Sequence, residues 1–267
     1  MRAYVINLAR STDRRAHITA ELQKAGLDYE IMTAVDGRDL DLSDRAIIDP
    51  AFTYMCQLLQ GTAGAALSHL NAYRKIVADG LDVALVLEDD VILPADLSSL
   101  ADAVADQLTG AEVALLSYGS YRFCALSSEG SVQLPSSRLL ALPIEIRTVN
   151  SGGAYIITRE ACERMIKCVL PVRVNPDDWW YFYREGALDR VRCVMPIPVL
   201  KNPELISTLG SYKLGNSLKD RLTWLLVRSK LPLVHHMLTR RRQRIYNLWS
   251  QQVLVDIPFI EKPSRLE

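Results

Sequence analysis

Residues 83–93 read VALVLEDDVIL, an apolar run that stops at three consecutive carboxylates and then resumes. The apolar part predicts a strand that is buried on both faces of a mainly parallel sheet. Such sheets bind ligands at the carboxyl ends of their strands, which is where Glu88, Asp89 and Asp90 stand. Three adjacent acids repel one another and resist burial unless a cation joins them. Hard oxygen ligands suit Mn²⁺ or Mg²⁺, so we expect a metal site that carries a substrate phosphate.

A simpler interpretation of this acidic triplet stays open. Acidic residues often follow a strand because they solvate the turn that comes after it. Here, however, the acids stand between Leu87 and the apolar residues Val91 and Ile92, outside any polar loop. That placement favours the metal site over the solvated turn.

Composition limits the class of protein. The chain has 267 residues, enough for one large α/β domain with a small appendage, and its formal net charge of zero predicts no nucleic-acid partner. Its five cysteines form no Cys-x-x-Cys pair, which favours free thiols in a reducing compartment over disulfides or zinc. No apolar run reaches the length of a membrane span. We therefore expect a cytoplasmic protein, either in solution or held at the inner face of the cytoplasmic membrane.

Strands and helices alternate along the chain, which predicts the α/β class. A strand over 3–8, a helix from Ser11 to Gly26 and a strand over 29–35 predict a parallel pair with a right-handed crossover. Residues 37–60 look irregular. Further helices are predicted over 61–79, 94–108, 159–168 and from 177, and further strands over 112–118, 154–157 and 191–195. Three helices have predicted inner stripes. These are Ile18, Leu22 and Ala25 in the first helix, Leu67, Leu70, Tyr73 and Val77 in the helix over 61–79, and Leu97, Leu100, Val104 and Leu108 in the helix from 94.

Six short motifs stand in the order of a known family. They are VINLAR (5–10) with DRR (13–15), AVDG (34–37), GAALSHL (64–70), LEDD (87–90), GAYII (153–157) and PDDWW (176–180). Together they resemble glycosyltransferase family 25, which includes bacterial lipooligosaccharide galactosyltransferases and collagen galactosyltransferases. The resemblance implies a GT-A-type nucleotide-binding sheet flanked by helices. It also implies inverting transfer of a sugar, usually galactose, from a UDP-sugar with Mn²⁺ to a glycan or glycolipid acceptor.

If the chain is such a transferase, we expect the three acids of the triplet to have different roles. Three ligands in one short run cannot all reach one ion, so Asp90, the last acid, is the predicted direct metal ligand. Asp89 is the second candidate for the metal. Asp89 or Glu88 would otherwise hold the ribose or a metal-bound water.

Five further residues are candidates for donor contacts. Arg10 and Arg14 follow the first strand, where a guanidinium suits a diphosphate or uracil, although a solvated helix face would also hold them. Asn7 suits the base or a cap on its own backbone, and Asp36 suits the ribose, the uracil or an ordinary Asp-Gly turn. His69 is a candidate diphosphate contact by the resemblance, and a structural helical histidine otherwise.

Asp178 is the candidate catalytic base, because it directly precedes Trp179 and Trp180. An apolar indole wall raises the pKa of a carboxylate, as a base requires, and indoles also stack on sugars. The alternative is a helix N-terminus, where the dipole favours acids and the tryptophans enter the core.

The C-terminal part is basic and apolar, and we predict a catalytic domain over 1–210 with a helical extension over 211–267. Residues 219–249 contain one acid, Asp220, against eight cations: Lys219, Arg221, Arg228, Lys230, Arg240, Arg241, Arg242 and Arg244. Pro232 would divide this segment into two helices. Basic amphipathic helices with tryptophan suit an anionic membrane surface, as a lipid-linked acceptor would require. Packing on the catalytic domain or on a second subunit is the alternative.

Other activities of the same acids stay open at this point. Nucleotidyl transfer, phosphohydrolysis and sugar-nucleotide binding without turnover would each use a metal–phosphate site. Sugar nucleotidyltransferases carry an early Gly-rich loop with Lys or Arg, which this chain lacks, and the intact triplet argues against a loss of turnover.

Overall fold

The computed structural model describes residues 1–55, 59–119, 123–205 and 232–257, and it confirms the predicted α/β class. The strands are β1 Arg2–Asn7, β2 Asp28–Thr33, β3 Val83–Glu88, β4 Val91–Ile92, β5 Glu112–Gly119, β6 Cys124–Ser127, β7 Val132–Leu134, β8 Arg138–Ala141, β9 Asn150–Thr158, β10 Arg190–Met195, β11 Leu200–Lys201 and β12 Gln252–Val255. The helices are α1 Thr12–Ala25, α2 Pro50–Met55, α3 Leu59–Ala78, α4 Leu97–Ala105, α5 Arg159–Cys168, α6 Trp179–Arg184 and α7 Pro232–Trp249.

Eight strands form the central sheet, in the order β2-β1-β3-β9-β5-β10-β8-β7. The predicted parallel pair of β1 and β2 is confirmed, and β1 is also parallel to β3, with Ile6 opposite Glu88. On its other side, however, β3 pairs antiparallel with β9. The apolar pattern of β3 could not distinguish these two neighbours, because a strand covered on both faces is apolar whatever the direction of its partners.

Helices cover both faces of the sheet. Successive residues of β3 alternate between the two cores, so Leu85 and Leu87 pack with α1 and α4, whereas Val86 packs with α3, α5 and α6. The predicted stripes of α1 and α4 are buried, as is Leu108, which follows the end of α4. In the α3 stripe, Leu70 and Tyr73 are buried, whereas Leu67 and Val77 are partly buried. The three carboxylates therefore follow a strand whose position is set by packing on both sides.

The segment predicted to be irregular, residues 37–60, is more ordered than expected. It contains a 3₁₀ turn at Gly37–Asp39, the short helix α2 and the start of α3. Pro50 stands at the first position of α2, and Asp49 accepts a hydrogen bond from the Ala51 backbone N–H at 2.9 Å. An Asp-Pro pair is a helix start signal, and it is independent of apolar periodicity.

Two glycines hold the loop after β2 against α3. A Cβ atom on Gly37 would lie 1.9 Å from the Gln60 carbonyl oxygen, and one on Gly64 would lie 2.7 Å from that of Val35. The Ser68 hydroxyl accepts from the Val35 N–H at 2.9 Å and donates to the Gly64 carbonyl at 2.7 Å. Backbone contact without intervening side chains therefore joins the AVDG and GAALSHL motifs.

The described part of the C-terminal extension is joined to the rest of the molecule. Strand β12 pairs in parallel with β6, and Arg242 Nη1 donates to the Pro203 carbonyl at 3.0 Å. Helix α7 begins at Pro232, where the sequence predicts a helix boundary. The predicted domain boundary at 210 and the earlier predicted helix with Trp224 lie outside the described residues, so both stay predictions. None of the helices that the structure describes is long and apolar enough to cross a lipid bilayer.

Candidate functional site

The acidic triplet follows β3 directly, and the β1–α1 junction holds two of its members. Asp89 Oδ1 accepts from Arg14 Nη1 at 2.5 Å, and Asp89 Oδ2 accepts from Asn7 Nδ2 at 2.7 Å. Arg14 Nη2 also donates to Asp90 Oδ2 at 2.9 Å. Burial raises the pKa of Asp89, while the Arg14 guanidinium acts in the opposite direction. Of the predicted donor contacts, Asn7 and Arg14 are thus brought directly to the triplet.

One of the two carboxylate oxygens of Asp90 has no hydrogen-bond partner among the described residues. The residue is 8% exposed, and this oxygen, Oδ1, is buried. The ammonium group of Lys201 lies 4.0 Å from this oxygen. Buried carboxylate oxygens without a partner are rare because their desolvation is costly, so this atom indicates a missing ligand.

The residues fit a divalent cation that is held by few protein atoms. In the described ranges, no group of three or more His, Cys, Asp or Glu side chains could hold a metal ion. Mg²⁺ and Mn²⁺ sites, however, use one or two carboxylates together with substrate phosphates and water. Asp90 Oδ1 would be that ligand. Asp89, the second predicted metal residue, uses both of its oxygens in hydrogen bonds to Arg14 and Asn7, and the metal assignment stays a prediction.

Glu88 lies between two other side chains. Its Oε2 is 3.1 Å from Lys201 Nζ, and its Oε1 is 3.9 Å from His69 Nε2. Burial opposes ionisation of Glu88, but the Lys201 cation and His69 outweigh it and hold the pKa of Glu88 well below the usual range. These contacts therefore favour the ionised form of Glu88.

His69 is 2% exposed, and the Tyr155 hydroxyl fixes its ring through Nδ1. Its Nδ1 lies 2.7 Å from the Tyr155 hydroxyl, which in turn donates to the Tyr73 hydroxyl at 3.2 Å. Gly152 packs on the ring, since a Cβ there would lie 3.2 Å from His69 Cε1 and Nε2. His69 thus contacts Glu88 rather than open solvent, and its predicted contact with the diphosphate stays a prediction.

Lys201 is a residue that sequence reasoning missed. It belongs to β11, which pairs antiparallel with β4, and the Asn202 backbone N–H donates to the Asp90 carbonyl at 2.7 Å. This short segment lies across the acidic triplet. A single lysine far along the chain carries no local signal, so only the tertiary structure connects it with Glu88.

Arg10 and Asp36, both predicted to contact the donor, pair with each other. Their side chains form a salt bridge, and Asp36 also accepts from Arg38 Nη2 at 2.5 Å. Asp36 caps the 3₁₀ turn through the Arg38 backbone N–H at 3.1 Å. The pair follows the carboxyl ends of β1 and β2, at the edge of the sheet where the triplet also lies.

Asp178 is the N-cap of α6, and its Oδ1 accepts from the Tyr181 backbone N–H at 3.1 Å. Trp179 is fully buried, packs edge-on against Tyr155 at 5.1 Å between ring centroids, and donates from Nε1 to a backbone carbonyl. Trp180 is half-buried, with the Arg147 guanidinium 4.6 Å from its ring centroid. The helix-start interpretation thus describes Asp178 and Trp179, and the role of Asp178 as base stays a prediction.

Asp177, its neighbour, is electrostatically coupled to the site. Burial raises the pKa of Asp177, and the Glu88 carboxylate raises it further, while Lys201 and His69 lower it. The sequence pattern favours Asp178 because that acid directly precedes the two tryptophans. The preference of helices for an Asp at the N-cap could have separated them, because the capping residue directly precedes the first helical residue.

Comparison with known proteins identifies the family. Residues 1–180, which contain all six motifs, match the model of "Glycosyltransferase family 25 (LPS biosynthesis protein)". The chain belongs to glycosyltransferase family 25. The resemblance seen in the sequence is thereby confirmed, and Lys201 lies beyond the matched residues.

Several relatives in this family share a segment with the chain. It is 35% identical over 95 residues to procollagen galactosyltransferase 1 of Danio rerio and 32% identical over 95 residues to procollagen galactosyltransferase 2 of Homo sapiens. It is 34% identical over 97 residues to the inactive glycosyltransferase 25 family member 3 of Mus musculus. Each match covers 33% of this chain and only 15–16% of the relative.

A solved structure is also similar. The crystal structure of a glycosyltransferase involved in glycosylation of the major capsid of PBCV-1 matches with 11% identity and a TM-score of 0.34. The match covers 72% of this chain and 80% of that one.

Proposed function

We propose that this family member is an inverting, metal-dependent transferase that moves galactose from a UDP-sugar to a surface-glycan acceptor such as lipooligosaccharide. The observation that carries the proposal is the buried Oδ1 atom of Asp90, just after the carboxyl end of β3. This oxygen has no hydrogen-bond partner among the described residues. Galactose is supported by the names of the procollagen galactosyltransferases, and the surface glycan by the name of the family.

The charges of the triplet support a divalent cation. Glu88, Asp89 and Asp90 carry three negative charges, and Arg14 and Lys201 pair with them as two positive charges. The cluster is therefore left with one negative charge, which would repel the diphosphate of a nucleotide sugar. A divalent ion would reverse the sign of the cluster and allow that group to bind.

The proposed reaction is a displacement at the anomeric carbon. The acceptor oxygen forms a bond to this carbon while the bond from the carbon to the diphosphate breaks, and the electron pair leaves with UDP. The acceptor proton passes to a carboxylate base. When bound, the divalent ion supplies Lewis-acid stabilisation of the departing diphosphate. Arg14 and Asn7 hold Asp89 and Asp90 in place beforehand, so the site needs little reorganisation.

Other residues of the site are proposed to bind the donor. Arg10 follows β1, the parallel neighbour of β3, and Asp36 follows β2, the next strand outward, where they would contact the uracil or ribose. His69 lies between Tyr155 and Glu88, so we propose that it orients Glu88 toward the ribose or a metal-bound water.

Two adjacent acids are candidates for the base. Asp178 retains one carboxylate oxygen besides the one that caps α6. Asp177 has a raised pKa because of burial, which is the condition that a general base requires near neutral pH. Separate substitution of Asp177 and Asp178 distinguishes the two candidates for the base.

A donor screen tests the proposal. With Mn²⁺ and a lipooligosaccharide acceptor, we expect UDP release from UDP-galactose in preference to UDP-glucose, UDP-GlcNAc and UDP-GalNAc, with inverted anomeric configuration in the product by NMR. UMP would instead indicate phosphohydrolysis, and UTP formed with added pyrophosphate would indicate nucleotidyl transfer. If UDP binds but no donor gives a product, the protein would be a sugar-nucleotide-binding member without turnover. The mouse relative is named as inactive, so this outcome is worth testing.

We further propose that the protein works in the cytoplasm at an anionic membrane surface, where a lipid-linked acceptor would be found. One exposed face of α7 supports this proposal. Met237, Arg240, Arg241, Arg244 and Leu248 recur at helical spacing and are all exposed, and none of the three arginines pairs with an acid among the described residues. Cationic side chains next to exposed apolar ones suit the headgroup region of an anionic bilayer.

A further inference from the structure

Lys201 is held over the acidic triplet from a separate part of the chain. Two backbone links place it there, the pairing of β11 with β4 and the hydrogen bond from the Asn202 N–H to the Asp90 carbonyl. Its aliphatic stem packs near Gly153, where a Cβ would lie 3.5 Å from Lys201 Cε. The position of the ammonium group is thus determined by the fold.

The ammonium group uses only part of its hydrogen-bonding capacity. It has three N–H donors, and it donates one hydrogen bond, to Glu88 Oε2 at 3.1 Å, among the residues that the structure describes. Asp90 Oδ1 lies at 4.0 Å, which is too far for a hydrogen bond. Two donors therefore stay available, and the side chain is 34% exposed.

Arg14 provides a contrast within the same cluster. Its two terminal nitrogens donate to two different carboxylates, and its side chain is only 11% exposed. Arg14 thus fixes the triplet, whereas Lys201 is held by a single carboxylate and reaches solvent. The Glu88 carboxylate raises the pKa of Lys201, so the ammonium group is charged at every pH of interest.

We infer that Lys201 binds the diphosphate group of the nucleotide-sugar donor, an inference that rests on the proposed function of the site. Lysine is a compact positive charge that turns its donors toward phosphate oxygens, and Glu88 holds it next to Asp90. As the sugar–oxygen bond breaks, negative charge accumulates on the departing diphosphate. The ammonium group of Lys201 would stabilise this charge. Lys201 forms no covalent bond in this step and keeps its proton.

The experiment compares UDP with uridine, which lacks the phosphates. Calorimetric affinities are measured in saturating Mg²⁺ for the wild type, Lys201→Met, Lys201→Arg and the exposed control Lys167→Met. We expect Lys201→Met to lower the affinity for UDP about ten- to a hundredfold, the value of one charge-assisted hydrogen bond, and to leave that for uridine unchanged. Lys201→Arg should retain most of the UDP affinity, and Lys167→Met all of it.

The outcomes separate this inference from the proposed function. If Lys201→Met binds UDP as the wild type does, or loses UDP and uridine equally, Lys201 is structural and the inference is wrong, even where sugar transfer is observed. If the wild type prefers UDP over uridine and Lys201→Met loses that preference, the inference stands even where no sugar is transferred. A wild type that binds both ligands equally would overturn the inference and the proposed donor together. Equal melting temperatures of the variants exclude a folding defect.

Discussion

Two clusters of ion pairs lie at opposite ends of the central sheet, and they differ in how completely their charges are matched. At the amino end of β5, the fully buried Glu112 accepts from Arg190 and Arg192, with hydrogen bonds to both of its oxygens at 2.8–3.4 Å. At the carboxyl end of β3, three carboxylates face two cations, and Asp90 Oδ1 has no partner among the described residues.

The difference teaches how a site can be recognised from charge alone. A buried carboxylate with both oxygens satisfied and an excess of arginines needs nothing more, so the Glu112 cluster is structural. The triplet has an excess of carboxylates and an oxygen without a partner among the described residues, which supports the proposed cation site. The triplet also lies at the carboxyl end of the parallel strands β2, β1 and β3, where α/β proteins place ligands, which agrees with this assignment.

Substitution of Asp90 should have the largest effect. Asp90→Asn removes the free carboxylate charge, and we expect kcat for sugar transfer to fall about a thousandfold or more, as when one main electrostatic group is lost. The free energy of unfolding should change by less than about 1 kcal/mol, because the substitution relieves repulsion within the triplet. The exposed Asp106→Asn is the matched control. Full transfer activity in Asp90→Asn would remove this residue from the mechanism.

Substitution of the two adjacent acids should separate base from helix cap. Asp177→Asn is expected to lower kcat about a hundredfold with UDP affinity unchanged, the usual contribution of a general base. A base must be ionised, so the activity of the wild type should fall as the pH drops through a pKa above the ordinary value for Asp, and Asp177→Asn should lack this decrease.

The companion variant Asp178→Asn provides the contrast. It keeps an amide oxygen that can accept from the Tyr181 N–H at the start of α6, so we expect a destabilisation of at most about 0.5 kcal/mol by thermal unfolding and a largely retained kcat. The opposite pattern, with kcat lost in Asp178→Asn alone, would restore Asp178 as the base that the sequence suggests.

Substitution in the matched cluster should affect stability alone. Glu112→Gln leaves two arginines without their carboxylate, and we expect a loss of about 2 kcal/mol in the free energy of unfolding by urea denaturation. This is less than a fully buried pair would lose, because Arg190 is 43% exposed. UDP affinity should stay that of the wild type. A change in UDP affinity at equal stability would contradict the division into a structural and a functional cluster.

The exposed face of α7 is a third charged region. Its three arginines pair with no acid among the described residues. Vesicles with anionic phosphatidylglycerol should bind the protein by co-sedimentation, and replacement of Arg240, Arg241 and Arg244 by Gln should weaken binding about tenfold or more. High salt should have the same effect as the substitutions. Equal binding of the variant, or no binding of the wild type, would leave this face without a membrane role.

Prediction from the sequence succeeded where the signal is local and periodic. The apolar run before the triplet placed the acids at the end of a buried strand, and the spacing of Leu97, Leu100 and Val104 identified the inner face of α4. The ordered motifs identified the family over residues 1–180.

The rest depends on contacts between distant parts of the chain. Nothing near Lys201 in the sequence relates it to Glu88, because their proximity depends on the pairing of β11 with β4. The antiparallel insertion of β9 beside β3 was equally hidden, since buried strands look alike in either direction.

The pairing of β12 with β6 has a consequence for any shortened form of the protein. Among the described residues, β6 pairs with β12 along its length and otherwise forms a single bridge from Leu126 to Pro143. Removal of the C-terminal segment would leave the backbone N–H and C=O groups of an apolar strand open next to Phe123, which is already 58% exposed. Such an edge can pair with strands of other molecules, so we expect a form that ends before β12 to aggregate more readily than the full chain.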